Sequence, residues 1–244
     1  MVKGRVSIII PSRNEPYLKA TVDDLLAKAK GDIEIFAILD GYWPTPDELS
    51  SDKRVNYIHF SEPRGMRGGI NAGVDICRGE YIMKSDAHCM FAEGFDEALK
   101  ADHKDNWVTI PRRYALDAEK WAIEERTDDK YPIDVMRLDE NNQGVPTRER
   151  VENAIIPTES FQGSCYFMKK DYFKKLGLLD EEKFTSFWNE AQEIGLKVEK
   201  DGGSVMRNTK TWYAHWHKTD SRGYSLTGVD RQKAQKAVEE LKND

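Results

Sequence analysis

Val6-Ser7-Ile8-Ile9-Ile10-Pro11-Ser12-Arg13-Asn14-Glu15 decides how the rest of the chain is read. Val6, Ile8, Ile9 and Ile10 are β-branched, and the run does not alternate with polar residues before it stops at Pro11. An uninterrupted apolar run of this length reads as a strand covered on both faces, as in a parallel sheet. The apolar spacing of Leu18, Val22, Leu25, Leu26 and Ala29 predicts a helix over residues 17–30, stopped by Gly31. Residues 33–39 form a second apolar run, ending at Asp40-Gly41, and residues 56–60 a third. Strand, helix, strand, strand predicts an α/β fold with a mixed, mostly parallel sheet flanked by helices. Ligands of such sheets sit at the carboxyl ends of the strands. Glu15, Asp40 and Asp86 all fall just beyond predicted strand ends.

The third of these acids lies in Tyr81-Ile82-Met83-Lys84-Ser85-Asp86-Ala87-His88-Cys89. A short buried strand runs here into a polar tip. Residues two apart on an extended segment point the same way, so Asp86 and His88 can converge on one divalent cation. Carboxylate with imidazole suits Mn²⁺ and its neighbours better than Ca²⁺, which prefers oxygens alone. Two ligands leave an open site, needing a third. His215 and His217, two apart within Trp212-Tyr213-Ala214-His215-Trp216-His217, form either a buried hydrogen-bonded pair or the source of that ligand.

Between these segments lies Arg64-Gly65-Met66-Arg67-Gly68-Gly69-Ile70-Asn71-Ala72-Gly73. So many glycines weaken a helix and admit close approach of something to its backbone. That something is a diphosphate, held by Arg64 and Arg67 at the helix start, or a tightly packed sheet. Further on, residues 93–103 are predicted helical, residues 107–110 a strand ending at Pro111, and residues 112–160 an irregular excursion shaping the acceptor side. Residues 161–168 read as a strand, 184–194 as a helix, and 198–205 as a hairpin around Asp201-Gly202-Gly203. Residues 219–228, with Arg222 and Tyr224, read as a surface loop or a lid, and 229–241 as a packing helix.

The 244 residues carry a net charge of −6, so there is no global electrostatic case for nucleic acid. No apolar run approaches the roughly 20 residues of a membrane helix. The N-terminus shows no signal-peptide pattern. Three cysteines without metal-finger spacing predict reduced thiols, with Cys89 as a packing residue, and a cytoplasmic protein. Arg112, Arg113, Arg148, Arg150, Lys169, Lys170, Lys174 and Lys175 could line a basic face; a solvated charged surface is the preferred reading.

Taken in order, these segments resemble the GT-A-fold, family 2-type glycosyltransferases. Residues 6–15 look like their opening strand and turn, and Asp40-Gly41 like the acid set against the nucleotide base. Arg67, Asn71, Ala72 and Gly73 resemble the segment before the metal motif. Ser85-Asp86-Ala87-His88-Cys89 resembles its Asp-x-His form, as in polypeptide N-acetylgalactosaminyltransferases. Gly163 to Phe167, Phe173, Leu176-Gly177 and Asp180-Glu181 look like the acceptor-side block, and Trp188-Asn189-Glu190 like the following Trp/Gly-Glu motif.

The resemblance implies a single GT-A catalytic domain over residues 1–244. Residues 5–111 would be the nucleotide-sugar half, 112–220 the acceptor half, and 221–244 a lid and C-terminal helix. It implies a nucleotide-sugar donor, usually a UDP-sugar, with Mn²⁺ or Mg²⁺ held by Asp86, His88 and His215. Donor contacts would come from Pro11, Arg13, Glu15, Asp40, Arg67, Asn71, Ser85, Asp86, Gly163, Trp188 and Lys218. Glu190, with Asp86, would be catalytic. The acceptor would be a hydroxyl on a glycan, a protein, a small molecule or a hydroxymethylated DNA base. Inverting members carry Glu-Asp here, whereas this chain has Glu190-Ala191, which favours retention unless Glu190 acts as the base. The lectin domain and membrane anchor of the N-acetylgalactosaminyltransferases are not expected. The alternatives are a nucleotidyltransferase, which would want a Gly-rich basic loop after the first strand, and a non-catalytic nucleotide-sugar binder.

Overall fold

The structure, a computed structural model, describes residues 1–125, 131–185, 187–218 and 228–243. The first apolar run forms β1 (Val2–Ser12), followed by α1 (Leu18–Lys28), β2 (Ile33–Asp40) and β3 (Val55–Phe60). All of β2 is buried, as a strand covered on both faces must be. Then come α2 (Gly65–Ile76), β4 (Gly79–Ser85), β5 (Cys89–Phe91), α3 (Phe95–Ala101), β6 (Trp107–Asp117) and β7 (Ala122–Ile123). A two-stranded hairpin of β8 (Met136–Leu138) and β9 (Gly144–Pro146) stands apart from the main sheet. The chain continues through β10 (Ile155–Pro157), β11 (Cys165–Lys169), α4 (Lys170–Lys175), α5 (Glu190–Lys200), β12 (Ser204–His215) and α6 (Gly228–Asn243).

The main sheet runs β10-β12-β6-β11-β4-β1-β2-β3, with β5 added to β12 and β7 to β6. β3, β2, β1 and β4 are mutually parallel. β11 is antiparallel to β4 and to β6, and β6 is parallel to β12. It follows that β1, β2, β4, β6 and β12 all point the same way. Their carboxyl ends meet on one rim, where β11 contributes its amino end. The mixed, mostly parallel sheet expected from the sequence is therefore present, with helices packed against it.

The glycines of α2 serve the sheet. A Cβ added at Gly73 would lie 2.8 Å from Ile9 Cγ2, and one at Gly69 would lie 3.2 Å from Ile38 Cγ2. The close-approach partner is thus β1 and β2 rather than a diphosphate. Arg67 corrects the expectation in the same sense. It is fully buried, pairs with Glu193 of α5 and donates to the Trp188 carbonyl at 2.6 Å. Asn71 likewise donates to Leu179 O at 2.8 Å, tying α2 to the segment before α5.

Other boundaries differ from the sequence reading for local reasons. The strand begun at Trp107 passes through Pro111, because the β6–β12 register shifts between Asn208 and Trp212 and spares the proline an amide. The strand expected from residue 161 starts at Cys165. Residues 198–205 are not a hairpin: α5 runs to Lys200, turns at Gly202 (φ +70°), and hands over to β12. That helix starts at Glu190, not at residue 184. Asn189 just before it has φ +60°, and Phe184 instead packs with Ala234, Ala237 and Val238 of α6. Of the expected lid, residues 219–227 with Arg222 and Tyr224 lie outside the described residues. Of the residues weighed as a possible basic face, several are paired with acids, in keeping with the preferred reading of a mixed charged surface: Arg112 is held by Asp134 at 2.7 Å and by Glu152 at 3.0 Å, Lys169 by Glu80 and Asp105, Lys174 by Asp75 and Lys175 by Asp201.

Removing one member of a fully buried ion pair strands the other in a low dielectric. Glu193→Ala should therefore lower unfolding free energy in urea by about 3–5 kcal/mol. A loss under about 1 kcal/mol would show that the Arg67–Glu193 pair does not hold α2 to α5.

Candidate active site

Asp86 leaves the end of β4 with its amide bonded to Ser164 O at 2.9 Å, just before β11. Three residues later, β5 begins and pairs with β12 in a register that sets Cys89 opposite His215. The Trp216 amide then donates to His88 O at 3.1 Å. Strand pairing thus carries His215, far away in sequence, next to the Asp-x-His segment. His215 Nε2 lies 3.1 Å and His88 Nε2 3.9 Å from Asp86 Oδ2. One ligand atom from each of the three residues lies within 4.8 Å of the others. His217 is not part of this cluster; its Nε2 faces Arg113 and the Tyr131 hydroxyl.

The surroundings set the charge of two of these groups. Burial opposes the Asp86 charge, but the Lys84 ammonium and the His215 bond outweigh it and hold the carboxyl well below its usual range. Burial, helped by the neighbouring Arg113 guanidinium, holds His215 neutral, with its pKa well below that of a free imidazole. An anionic oxygen and two imidazole nitrogens form a donor set that fits Mn²⁺ and similar ions. Cys89 is fully buried, and burial pushes its thiol pKa far up, as suits packing rather than reactivity.

The cluster lies in the wall of a cavity of about 560 Å³. Pro11 borders it at the end of β1, Arg13 and Glu15 just after that strand, Asp40 at the end of β2, and Asp86 and His88 after β4. Gly163, Trp188 and Glu190 line it from the β11 and α5 side, and His215 and Lys218 from the end of β12. Arg67, Asn71 and Ser85 do not line it; the Ser85 hydroxyl is buried and donates to Asp86 O at 2.8 Å. Asp40 is committed to the chain, accepting from the Arg64 and Gly65 amides at 2.6 and 3.0 Å and so capping α2. Glu15 accepts from Lys218 Nζ at 2.5 Å and lies 3.0 Å from His88 Nδ1, which orients the ring.

Glu190 opens α5 beside Gly163. Tyr166 donates to its Oε1 at 2.9 Å, and Lys84 lies 3.6 Å from its Oε2. Burial raises its pKa against the opposing pull of Lys84 and Arg67. Two participants, Lys84 and Tyr166, escaped the sequence reading as site residues, and a third, Arg113, entered it only among the residues of a possible basic face. Lys84 was within reach of it, because the two-residue alternation that pairs Asp86 with His88 puts Lys84 on the same side. Arg113 and Tyr166 carry no such local signal, since only the sheet order brings β6 and β11 to this rim.

Residues 7–177 match the sequence profile of glycosyl transferase family 2. The glycosyltransferase GlyG of Streptococcus pneumoniae serotype 4 is 28% identical over 120 residues, 46% of this chain and 40% of GlyG. CsbB of Bacillus subtilis (strain 168), assigned as a glycosyltransferase, is 33% identical over 120 residues, 41% of this chain and 36% of CsbB. The match thus spans less than half the length of either relative. The structure of GalNAc-T7 with UDP, GalNAc and Mn²⁺ superposes with a TM-score of 0.78 at 18% identity, covering 96% of this chain and 47% of that one. The two chains share the GT-A fold.

A carboxyl whose pKa is raised by folding contributes stability at low pH and loses it as pH climbs from the ordinary glutamate range through the folded value. Glu190→Gln removes that loss. In urea melts from about pH 4 to about pH 8, the variant should gain stability relative to wild type as pH rises. A constant difference across that range would mean that Glu190 is not held above its usual range.

Proposed function

The chain belongs to glycosyl transferase family 2, and from this we propose that it is a metal-dependent glycosyltransferase using a nucleotide-sugar donor, with UDP as the nucleotide. The observation that carries the reading is the convergence of Asp86, His88 and His215 in the wall of a cavity at the carboxyl rim of the sheet. These three residues would hold Mn²⁺ or Mg²⁺, and the UDP and Mn²⁺ in the GalNAc-T7 structure support the choice. When bound, the ion supplies charge neutralisation for a departing diphosphate.

The protein's own groups complete the reaction. Arg13 and Lys218 border the cavity as cations for the donor phosphates, and Pro11, Asp40, Gly163 and Trp188 shape its pocket. Residues 5–111 form the donor half and residues 112–220 the acceptor half. Glu190 faces the acceptor side at Gly163, held by Tyr166 through Oε1. A carboxylate placed there suits orienting an acceptor hydroxyl. With Ala191 where inverting members carry the aspartate, we favour transfer with retention, the acceptor being a hydroxyl on a glycan, protein, small molecule or modified base. No helix among the described residues is long and apolar enough to cross a membrane.

Thermal melts with UDP, GDP, TDP and CDP, each with and without Mn²⁺, test this reading. UDP with Mn²⁺ should raise the melting temperature, either alone should do little, and Asp86→Ala should abolish the effect. Under the same conditions UDP-sugars should release UDP only with metal. If no nucleotide shifts the wild-type melt under any metal, the donor reading fails.

A further inference from the structure

Two of the three ligands of the candidate metal site, Asp86 and His215, already have a cation against them, and the third, His88, is reached by one through a carboxylate. Lys84 is buried, with its side chain 1% exposed, and its Nζ lies 2.5 Å from both Asp86 Oδ1 and Gly163 O. It therefore occupies one oxygen of Asp86 while the other, Oδ2, faces both histidines. Lys218 acts at one remove: its Nζ binds Glu15 Oε1, and Glu15 Oε2 lies against His88 Nδ1. Arg113 is buried, borders the cavity, and sets Nη2 3.0 Å from His215 Nδ1, while its Nε and Nη1 have no hydrogen-bond partner among the described residues.

Within the network of direct contacts around this cluster, three acids face three cations without any added ion. Asp86, Glu15 and Glu190 stand against Lys84, Lys218 and Arg113. A dication entering alone would add two uncompensated charges to a partly desolvated site and would face three fixed cations. A dication entering with a diphosphate brings its own counter-charge, and the same three cations then help rather than hinder.

We propose that Lys84, seconded by Lys218 and Arg113, is an internal counter-ion that keeps the site's affinity for a bare divalent ion low and makes metal uptake depend on the anionic donor. Lys84 is a positioning residue: it touches neither sugar nor acceptor in this account, and acts by restricting Asp86 to a single free oxygen. Coupling of this kind is reciprocal, so the metal tightens the nucleotide by the same factor as the nucleotide tightens the metal. The inference rests on the metal-site reading proposed above.

Calorimetric titration of the full chain with Mn²⁺, without UDP and with saturating UDP, separates the two. Wild type should bind Mn²⁺ alone weakly, and about tenfold or more tighter with UDP present. Lys84→Met should bind Mn²⁺ alone about tenfold or more tighter than wild type, with a correspondingly smaller gain from UDP. A merely structural lysine would give the reverse, since disturbing Asp86 loosens the metal. Lys218→Met, at the cavity edge, should shift in the same direction and serves if Lys84→Met does not fold. Unchanged or weaker binding of Mn²⁺ alone in the folded variants, with wild type still binding Mn²⁺ and UDP together, overturns the inference. A wild type that binds no Mn²⁺ even with UDP overturns the metal site itself, and the inference falls with it.

Discussion

The pairing of β5 with β12 is the constraint on which the site depends. It sets Cys89 opposite His215, so His88 and His215 face each other across a strand boundary beside Asp86. A slip of one residue would send His215 to the other face of the sheet. The surrounding sheet then decides what else can reach this point. Because β1, β2, β4, β6 and β12 run in one direction, the residues after their ends gather on one rim. Antiparallel β11 delivers Gly163 and Ser164 to the same place from the opposite direction.

A second constraint is charge. The fold buries Arg67 with Glu193 behind the cavity and Lys84 between Asp86 and Glu190 in front of it. Such groups are costly to desolvate, and each persists only because its partner is in place. The rear pair locks α2 to α5. The front group links the candidate metal ligand to the candidate acceptor-side acid through a single ammonium. Substitution at Lys84 therefore acts on both halves of the cavity, whereas substitution at Glu193 acts on the frame.

The parts of this arrangement that the sequence makes legible are those with local signals. Unbroken aliphatic runs disclose the parallel strands, and the Asp86-x-His88 spacing discloses two ligands on one side. The fold and the family were accessible through the order of such segments. Arg67 misled because a cation beside glycines looks like a phosphate contact; only the long-range contact with Glu193 shows that it points inward. The start of α5 was misplaced because Phe184 and Phe187 fit helical spacing, whereas Asn189, just before the helix, sits in the left-handed region. The choice between His215 and His217 depended on which one the β12 register turns toward Asp86.

In the proposed site, one carboxylate and two imidazoles share a divalent ion in the presence of the donor nucleotide. Electron spin-echo spectroscopy of Mn²⁺ bound with UDP reads this most directly, since nitrogen nuclei in the first coordination sphere modulate the echo. Modulation from two imidazole nitrogens is expected, reduced to one in His88→Ala and in His215→Ala. Modulation from phosphorus alone, with no nitrogen contribution in wild type, would place the ion elsewhere and contradict this ligand set.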